Sequence, residues 1–201
     1  RVLRTDTCWL TLPEGVAHVE ADALRAMQEL TVLIMAKNGE PVTFEDGCFD
    51  GLDTLTTIAC YSEAQLEAVR ASAPEGVKVK LVDAVREDGY SYLITEGGIL
   101  LLAAPEDITS FDGTIPMPDG EEPLVAAAIG DAVFEDHDAL VWVDLPEDCK
   151  MIGYQAFRGC VRLQGVMIEN TEFILIGKDA FENCPKLRFV ASNAEKCDLR
   201  D

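Results

Sequence analysis

The 201-residue chain is poor in positive charge and almost devoid of histidine. It carries 16 Lys and Arg against 37 Asp and Glu, a formal net charge of −21. Nucleic acid and anionic membrane surfaces both require a basic footprint, so neither is expected as a partner. No run of 18 apolar residues occurs, so no segment reads as a spanning helix, and no secretory signal pattern opens the chain. The two histidines, His18 and His137, lie far apart, and no Cys-x-x-Cys pair exists, which leaves a structural zinc site poorly supported. Nucleophile-elbow, phosphate-loop, His-x-x-His and EF-hand patterns are all missing. Carboxylate pairs are present, at Glu45-Asp46, Glu87-Asp88, Glu121-Glu122, Glu135-Asp136 and Glu147-Asp148. They fall where loops and corners are expected, and no acid/base couple for glycoside hydrolysis can be picked from them. The sequence therefore predicts no catalytic residue, no metal and no cofactor.

What is present is apolar residues at 48% of the chain, enough for a core, and a repeat in how they are spaced. Ile152 and Ile176, Phe157 and Phe181, Cys160 and Cys184, Leu163 and Leu187, and Val166 and Val190 recur at a period of 24. The same template falls on Ile129, Phe134, His137, Leu140 and Val143. Nearer the N-terminus it falls on Phe44, Phe49, Leu52, Leu55 and Ile58, and before that on Val19, Leu24, Met27, Leu30 and Leu33. Only His137 breaks the apolar rule. A fixed period of this size marks a stacked-repeat chain, in which each turn buries its apolar stripe against its neighbours. Leu-x-x-Val and the residues after it are the expected strand of each turn, pairing in parallel with the next. Two residues after the aromatic column stand Gly51, Asp136, Gly159 and Asn183, which tolerate a left-handed backbone and predict a turn.

LPEGVAHVEADALRAMQEL and DLPEDCKMIGYQAFRGCVRL resemble the BspA-like leucine-rich repeats of bacterial cell-surface proteins, over about residues 9–60 and 124–192. The first two turns are degenerate, with Leu24 in place of Phe and Glu20 and Glu45 in place of Gly. The resemblance implies a repeat solenoid: a right-handed leucine-rich-repeat superhelix with a parallel sheet and short corner turns or helices. It further implies a cell-surface or secreted location, a role in adhesion or protein recognition, and no catalytic residues.

Three regions are expected. Residues 9–82 form an N-terminal block of two turns, followed by a capped helix over 63–72 and a strand through Val77, Val79 and Leu81. Residues 83–123 are irregular, with a hairpin across Thr95-Glu96-Gly97-Gly98 and then a Pro- and Gly-rich stretch. Their length, close to three periods, favours irregular coils that continue the stack, with a linker as the alternative. Residues 124–192 are three clean turns. Residues 1–8 and 193–201 are expected to be loose ends. A repeat runs up to each end without a polar cap, which predicts a piece of a longer protein. Among the seven cysteines, Cys160 and Cys184 occupy a core column and are expected as inert thiols, with a disulfide between them as the alternative.

The functional expectation concerns the strands. If the Val column points inward, its neighbours point outward. That outward ladder is Val32, Thr57, Trp142, Gly165 and Phe189, with Ile34, Ala59, Asp144, Met167 and Ala191 beside it. Trp142, Met167 and Phe189, with Asp144 and Arg188 next to them, are the candidate partner-binding residues, because exposed aromatic and Met clusters are typical of interfaces. The expected partner is a protein, from a host or from a bacterial surface. The alternatives are a structural spacer, or an enzyme with its site in residues 83–123, a stretch that contains no His.

Overall fold

A computed structural model describes residues 8–199 and divides the chain at Val82/Asp83 into two compact units. The first contains β1 (Trp9–Thr11), β2 (His18–Val19), β3 (Val32–Ile34), β4 (Thr43–Phe44), β5 (Thr57–Cys60), α1 (Glu63–Arg70) and β6 (Lys78–Leu81). Strands β1, β3, β5 and β6 form a parallel sheet in that order, and β2 and β4 form a second. Leu10, Leu33, Ile58 and Val79 are in register across the first sheet, so the last apolar column of the repeat becomes one row of the core. Leu33 and Ile58 of this row are fully buried, as are Leu24, Met27 and Leu30.

Helix α1 takes the place of the second strand in the last turn of this unit. Its N-cap is Ser62, whose side chain accepts from the Gln65 N–H, while Gln65 Oε1 accepts from the Tyr61 N–H at 2.8 Å. Gln65 is itself buried, and its Nε2 donates to the carbonyls of Ala36 and Gly39 at 2.9 and 2.8 Å. Its polar head is thereby satisfied. The helix ends at Arg70, two residues before its expected end.

One expectation fails in this unit. Val32, Ile34, Thr57 and Ala59, the outward ladder, are all buried, as are Trp9 and Ala36. The physical reason lies in the strand itself. Residues 31–36 read TVLIMA, a run with no charged residue, and a strand covered on both faces reads as a continuous apolar run. Alternation of inside and outside was the wrong rule for it.

The second unit contains β7 (Ala84–Val85), β8 (Ser91–Thr95), β9 (Gly98–Ala103), β10 (Ser110–Phe111), β11 (Thr114–Ile115), a 3-10 turn (Pro118–Gly120) and β12 (Leu124–Ile129). It continues with β13 (Trp142–Leu145), β14 (Met151–Ile152), β15 (Gly165–Ile168), β16 (Phe173–Ile176), β17 (Phe189–Ser192) and β18 (Lys196–Leu199). Successive turns alternate between two parallel sheets. One is β10-β13-β15-β17, built on the Val column. The other runs β18-β16-β14-β12-β9, with the antiparallel strands β8 and β7 added at its end. This second sheet was not foreseen, although Ile129, Ile152 and Ile176, the first column of the repeat, are in register across it.

Within residues 83–123 the β8–β9 hairpin forms, and β9 and β10 then pair in parallel with β12 and β13. The stretch thus supplies one coil without a regular corner, where three irregular coils were expected. The expected loose tail is ordered in part: Lys196–Leu199 pair with β16 as β18. The expectations for residues 1–7 and 200–201 lie outside the described residues.

Between the two sheets each regular turn makes a corner, and the corners stack. Phe134 and Phe157 lie with ring centroids 5.0 Å apart and planes 4° from parallel; Phe157 and Phe181 follow at 5.4 Å and 6°. The corner backbone forms a ladder of its own. The N–H groups of Ala132, Phe134 and Asp136 donate to the carbonyls of Tyr154, Ala156 and Arg158 at 2.8–2.9 Å. Those of Gln155, Phe157 and Gly159 donate to Lys178, Ala180 and Glu182 at 2.8–3.1 Å. Every bond points from the earlier turn to the later one. Two residues per corner hold positive φ to aim these groups: Asp136, Gly159 and Asn183, as expected, and also Ala132, Gln155 and Asp179 at 54–56°. A left-handed backbone at a non-glycine residue costs about 1–2 kcal/mol, which the inter-turn bonds offset.

Candidate functional site

The outer face of the sheet β10-β13-β15-β17 follows from strand alternation. Phe111, Val143 and Val166 are in register and buried, with Leu145 and Ile168 behind them. The other parity points outward: Ser110, Trp142, Gly165 and Phe189 form one row, and Asp144, Met167 and Ala191 the next. Trp142 and Phe189 stand on strands separated by β15, about 9.6 Å apart at ordinary strand spacing. Their rings nonetheless meet, with centroids 5.4 Å apart in a T-shaped arrangement at 68°. Gly165 makes this possible. A Cβ there would lie 2.6 Å from the Trp142 ring and 2.7 Å from Phe189. The missing side chain leaves a slot into which both rings lean, an edge-to-face pair worth about 0.5–1.5 kcal/mol beyond area burial.

The pair remains open to solvent, with Trp142 37% and Phe189 41% exposed. Met167 and Asp144 are half-buried in the adjoining row, and Arg188 is exposed just before β17. The Arg188 backbone N–H donates to the Gln164 carbonyl at 3.0 Å. Among the described residues, neither Asp144 nor Arg188 forms an ion pair, so Trp142 and Phe189 are brought together while the two charges are not. Exposed Phe173, Val125 and Ile94 on the other sheet were not singled out from the sequence; the exposed first position of FILI in β16 was their one legible sign.

Both histidines have settled partners. His137 is buried, with Nδ1 and Nε2 each 3.3 Å from a carbonyl, those of Glu135 and Ala104, and its ring stands edge-on to Phe134 at 5.4 Å. His18, in the first unit, lies 2.8 Å from Thr43 Oγ1 and 3.2 Å from Glu45 Oε1. The backbone N–H of Ala21, followed by His18, holds the Glu45 carboxyl below its usual range. Cys160 and Cys184 carry free thiols, each donating to the main-chain carbonyl of the previous turn, Phe134 and Phe157, at 3.0 Å. Burial pushes the Cys160 and Cys149 thiols up to about 12. A thiol in that state is a poor nucleophile at neutral pH. Among the described residues no group of three His, Cys, Asp or Glu side chains converges as a metal site would need. No helix of the described residues is long and apolar enough to cross a membrane. What the aromatic face offers chemically is contact area.

Comparison with curated proteins found no match. Among solved structures, the chain is similar to a leucine-rich repeat protein from Bacteroides capillosus, at 20% identity over 58% of this chain and 98% of that one, with a TM-score of 0.41. It is also similar to a leucine rich cell surface protein from Faecalibacterium prausnitzii, at 17% identity over 95% of this chain and 59% of that one, TM-score 0.38. A leucine rich repeat protein of T. pallidum matches at 20% identity over 96% of this chain and 72% of that one, TM-score 0.33. Residues 122–196, which hold the three regular turns with their stacked Phe column, match the family described as "BspA type Leucine rich repeat region (6 copies)". That stretch of the chain is thus similar to BspA-type leucine-rich repeats.

Proposed function

We propose that this chain is a non-catalytic recognition module of a surface or secreted protein, and that it holds a protein ligand against the outer face of β10-β13-β15-β17. The observation that carries the reading is the Trp142–Phe189 pair, held together over Gly165 and still more than a third exposed. Large rigid aromatics contribute contact area at little conformational cost and dominate interface energetics. Asp144 and Arg188 supply charge of both signs at its edge, suited to setting the orientation of a partner. The net charge of −21 favours basic partners over acidic ones.

The immobilised chain, presented with panels of purified host-matrix and bacterial surface proteins, is expected to retain at least one of them. The double variant Trp142→Ala/Phe189→Ala is expected to lose that partner by about 2 kcal/mol or more while still folding cooperatively. Undiminished binding by the double variant removes this face from the account. Capture of nothing by the native chain favours the spacer reading.

A further inference from the structure

The chain has four asparagines, at positions 38, 170, 183 and 193, and only Asn38 is followed by glycine. Asn38 lies in the turn that follows β3. The Gly39 N–H closes that turn by donating to the Ala36 carbonyl at 3.1 Å, and Lys37, Asn38 and Glu40 are exposed around it. The Asn38 amide is lightly held, with Nδ2 3.4 Å from Glu14 Oε1. Glycine at the next position leaves its backbone nitrogen unshielded, since it has no Cβ and a wide choice of φ and ψ.

Packing fixes that glycine. A Cβ on residue 39 would lie 3.0 Å from the Ala36 Cβ, 3.3 Å from the Ala36 carbonyl oxygen and 3.5 Å from Gln65 Nε2. The turn rests on a buried amide. Gln65 is 1% exposed, and its Nε2 donates to carbonyls at both ends of the turn, Ala36 at 2.9 Å and Gly39 at 2.8 Å. Its Oε1 accepts from the Tyr61 N–H just ahead of α1. The spacing of two carbonyls three residues apart therefore sets how Gln65 is seated, and Gln65 in turn secures the start of the helix.

We propose that Asn38 is a site of spontaneous deamidation, and that its conversion to isoaspartate unseats Gln65 and loosens the first turn of α1. The Gly39 nitrogen attacks Cγ of Asn38. The N–Cγ bond forms as Cγ–Nδ2 breaks, the Gly39 proton passes through water to the departing nitrogen, and ammonia leaves. Water then opens the cyclic imide. Attack at Cγ gives aspartate, and attack at the main-chain carbonyl gives isoaspartate. The isoaspartate route puts one extra carbon into the main chain between the Ala36 and Gly39 carbonyls, and a carboxylate beside Glu14. Gln65 then loses one of its two acceptors at a depth where water does not replace it. Only the surface bond from Gly39 to Ala36 has to open for the attack, a local event of the kind exposed turns undergo. The site lies in the first unit and does not rest on the reading given for the Trp142–Phe189 face.

The test ages the full chain in mildly alkaline buffer under reducing conditions, then cleaves it after glutamate. That frees residues 30–40 from all five Asp-Gly pairs, Asp46, Asp50, Asp88, Asp112 and Asp119, which form isoaspartate without a change of mass. The 30–40 peptide is followed by mass and by isoaspartyl-methyltransferase labelling. Amide-to-acid exchange is expected at least about tenfold faster at Asn38 than at Asn170, Asn183 and Asn193, with isoaspartate in excess over aspartate. The isoaspartate chain, separated from the native one by its added charge, is expected to melt lower by about 4 °C or more. A freshly prepared Asn38→Asp chain, which gains the same charge at unchanged backbone length, is expected to melt with the native chain. Amide hydrogen exchange at Tyr61 is expected to rise in the isoaspartate chain alone. Exchange at Asn38 no faster than at the other three asparagines overturns the modification site. An isoaspartate chain that melts with Asn38→Asp, or that leaves Tyr61 as protected as before, overturns the coupling to Gln65.

Discussion

In the first unit the outward ladder is Val32, Ile34, Thr57 and Ala59, all buried; in the second it is Trp142, Gly165 and Phe189 with Asp144, Met167 and Ala191, none of them deep in a core except the glycine. Both ladders sit on parallel strands fed by the same apolar column, Leu33 and Ile58 in one case and Val143 and Val166 in the other. The inner faces are therefore equivalent, and the difference lies wholly outside. A strand such as VLI, buried on both faces, is committed to stability. The strands WVDL and GVMI keep one face toward solvent.

The comparison breaks most sharply under a charge. Ile34→Asp places a carboxylate where the side chain is 1% exposed, and is expected to cost about 4 kcal/mol or more. Met167→Asp, at the equivalent ladder position of the other unit, is expected to stay within about 1 kcal/mol. Urea denaturation of the two variants decides it, and equal costs would mean the two faces do not differ. Next in size is the aromatic column. Phe157→Ala removes a 0% exposed ring sandwiched between Phe134 and Phe181, with an expected loss of about 3–5 kcal/mol. A loss under about 1 kcal/mol would mean that the stack is not continuous.

Thiol titration sharpens the contrast between the two cores. Burial raises Cys149 and Cys160 to about 12, and Cys48 and Cys60 in the first unit to about 11. Because the folded values lie above the ordinary thiol value, the folded chain keeps protons that the unfolded chain has already lost. Their contribution is complete below about pH 9 and declines as pH rises toward the folded values. The urea midpoint is expected to fall as pH rises above about 9, and to fall less for Cys149→Ala. A midpoint independent of pH would contradict the burial of these thiols. The smallest effect belongs to the surface. Arg158→Leu breaks the Glu135–Arg158–Glu182 row and is expected to lower the melting temperature at low salt only. Persistence of the loss at high salt would show that packing of the arginine stem, and not its charge, is what matters.

Much of this architecture was legible from residue spacing. The recurrence of Phe134, Phe157 and Phe181 anticipated a stack that the rings adopt at 5.0–5.4 Å, and Asp136, Gly159 and Asn183 marked the left-handed turn. Trp142 and Phe189 were legible as neighbours on one ladder. That they touch across Gly165 was not, because two strand spacings exceed ordinary ring contact unless the residue between them has no side chain. The second sheet was missed because Met151–Ile152 is only two residues long, too short for an alternation pattern to register. Gln155 at φ 54° was equally hidden, since nothing about glutamine favours a left-handed backbone.

The primary structure by itself determined the period, the composition of each core column and the position of the tight corner, because apolar side chains at a constant interval have one economical way to leave water together. Folding decided which flank of each strand stays wet. It also decided where Gln155 and its counterparts bend. Those properties depend on what lies one strand or one turn away, and a residue's own identity carries no record of that.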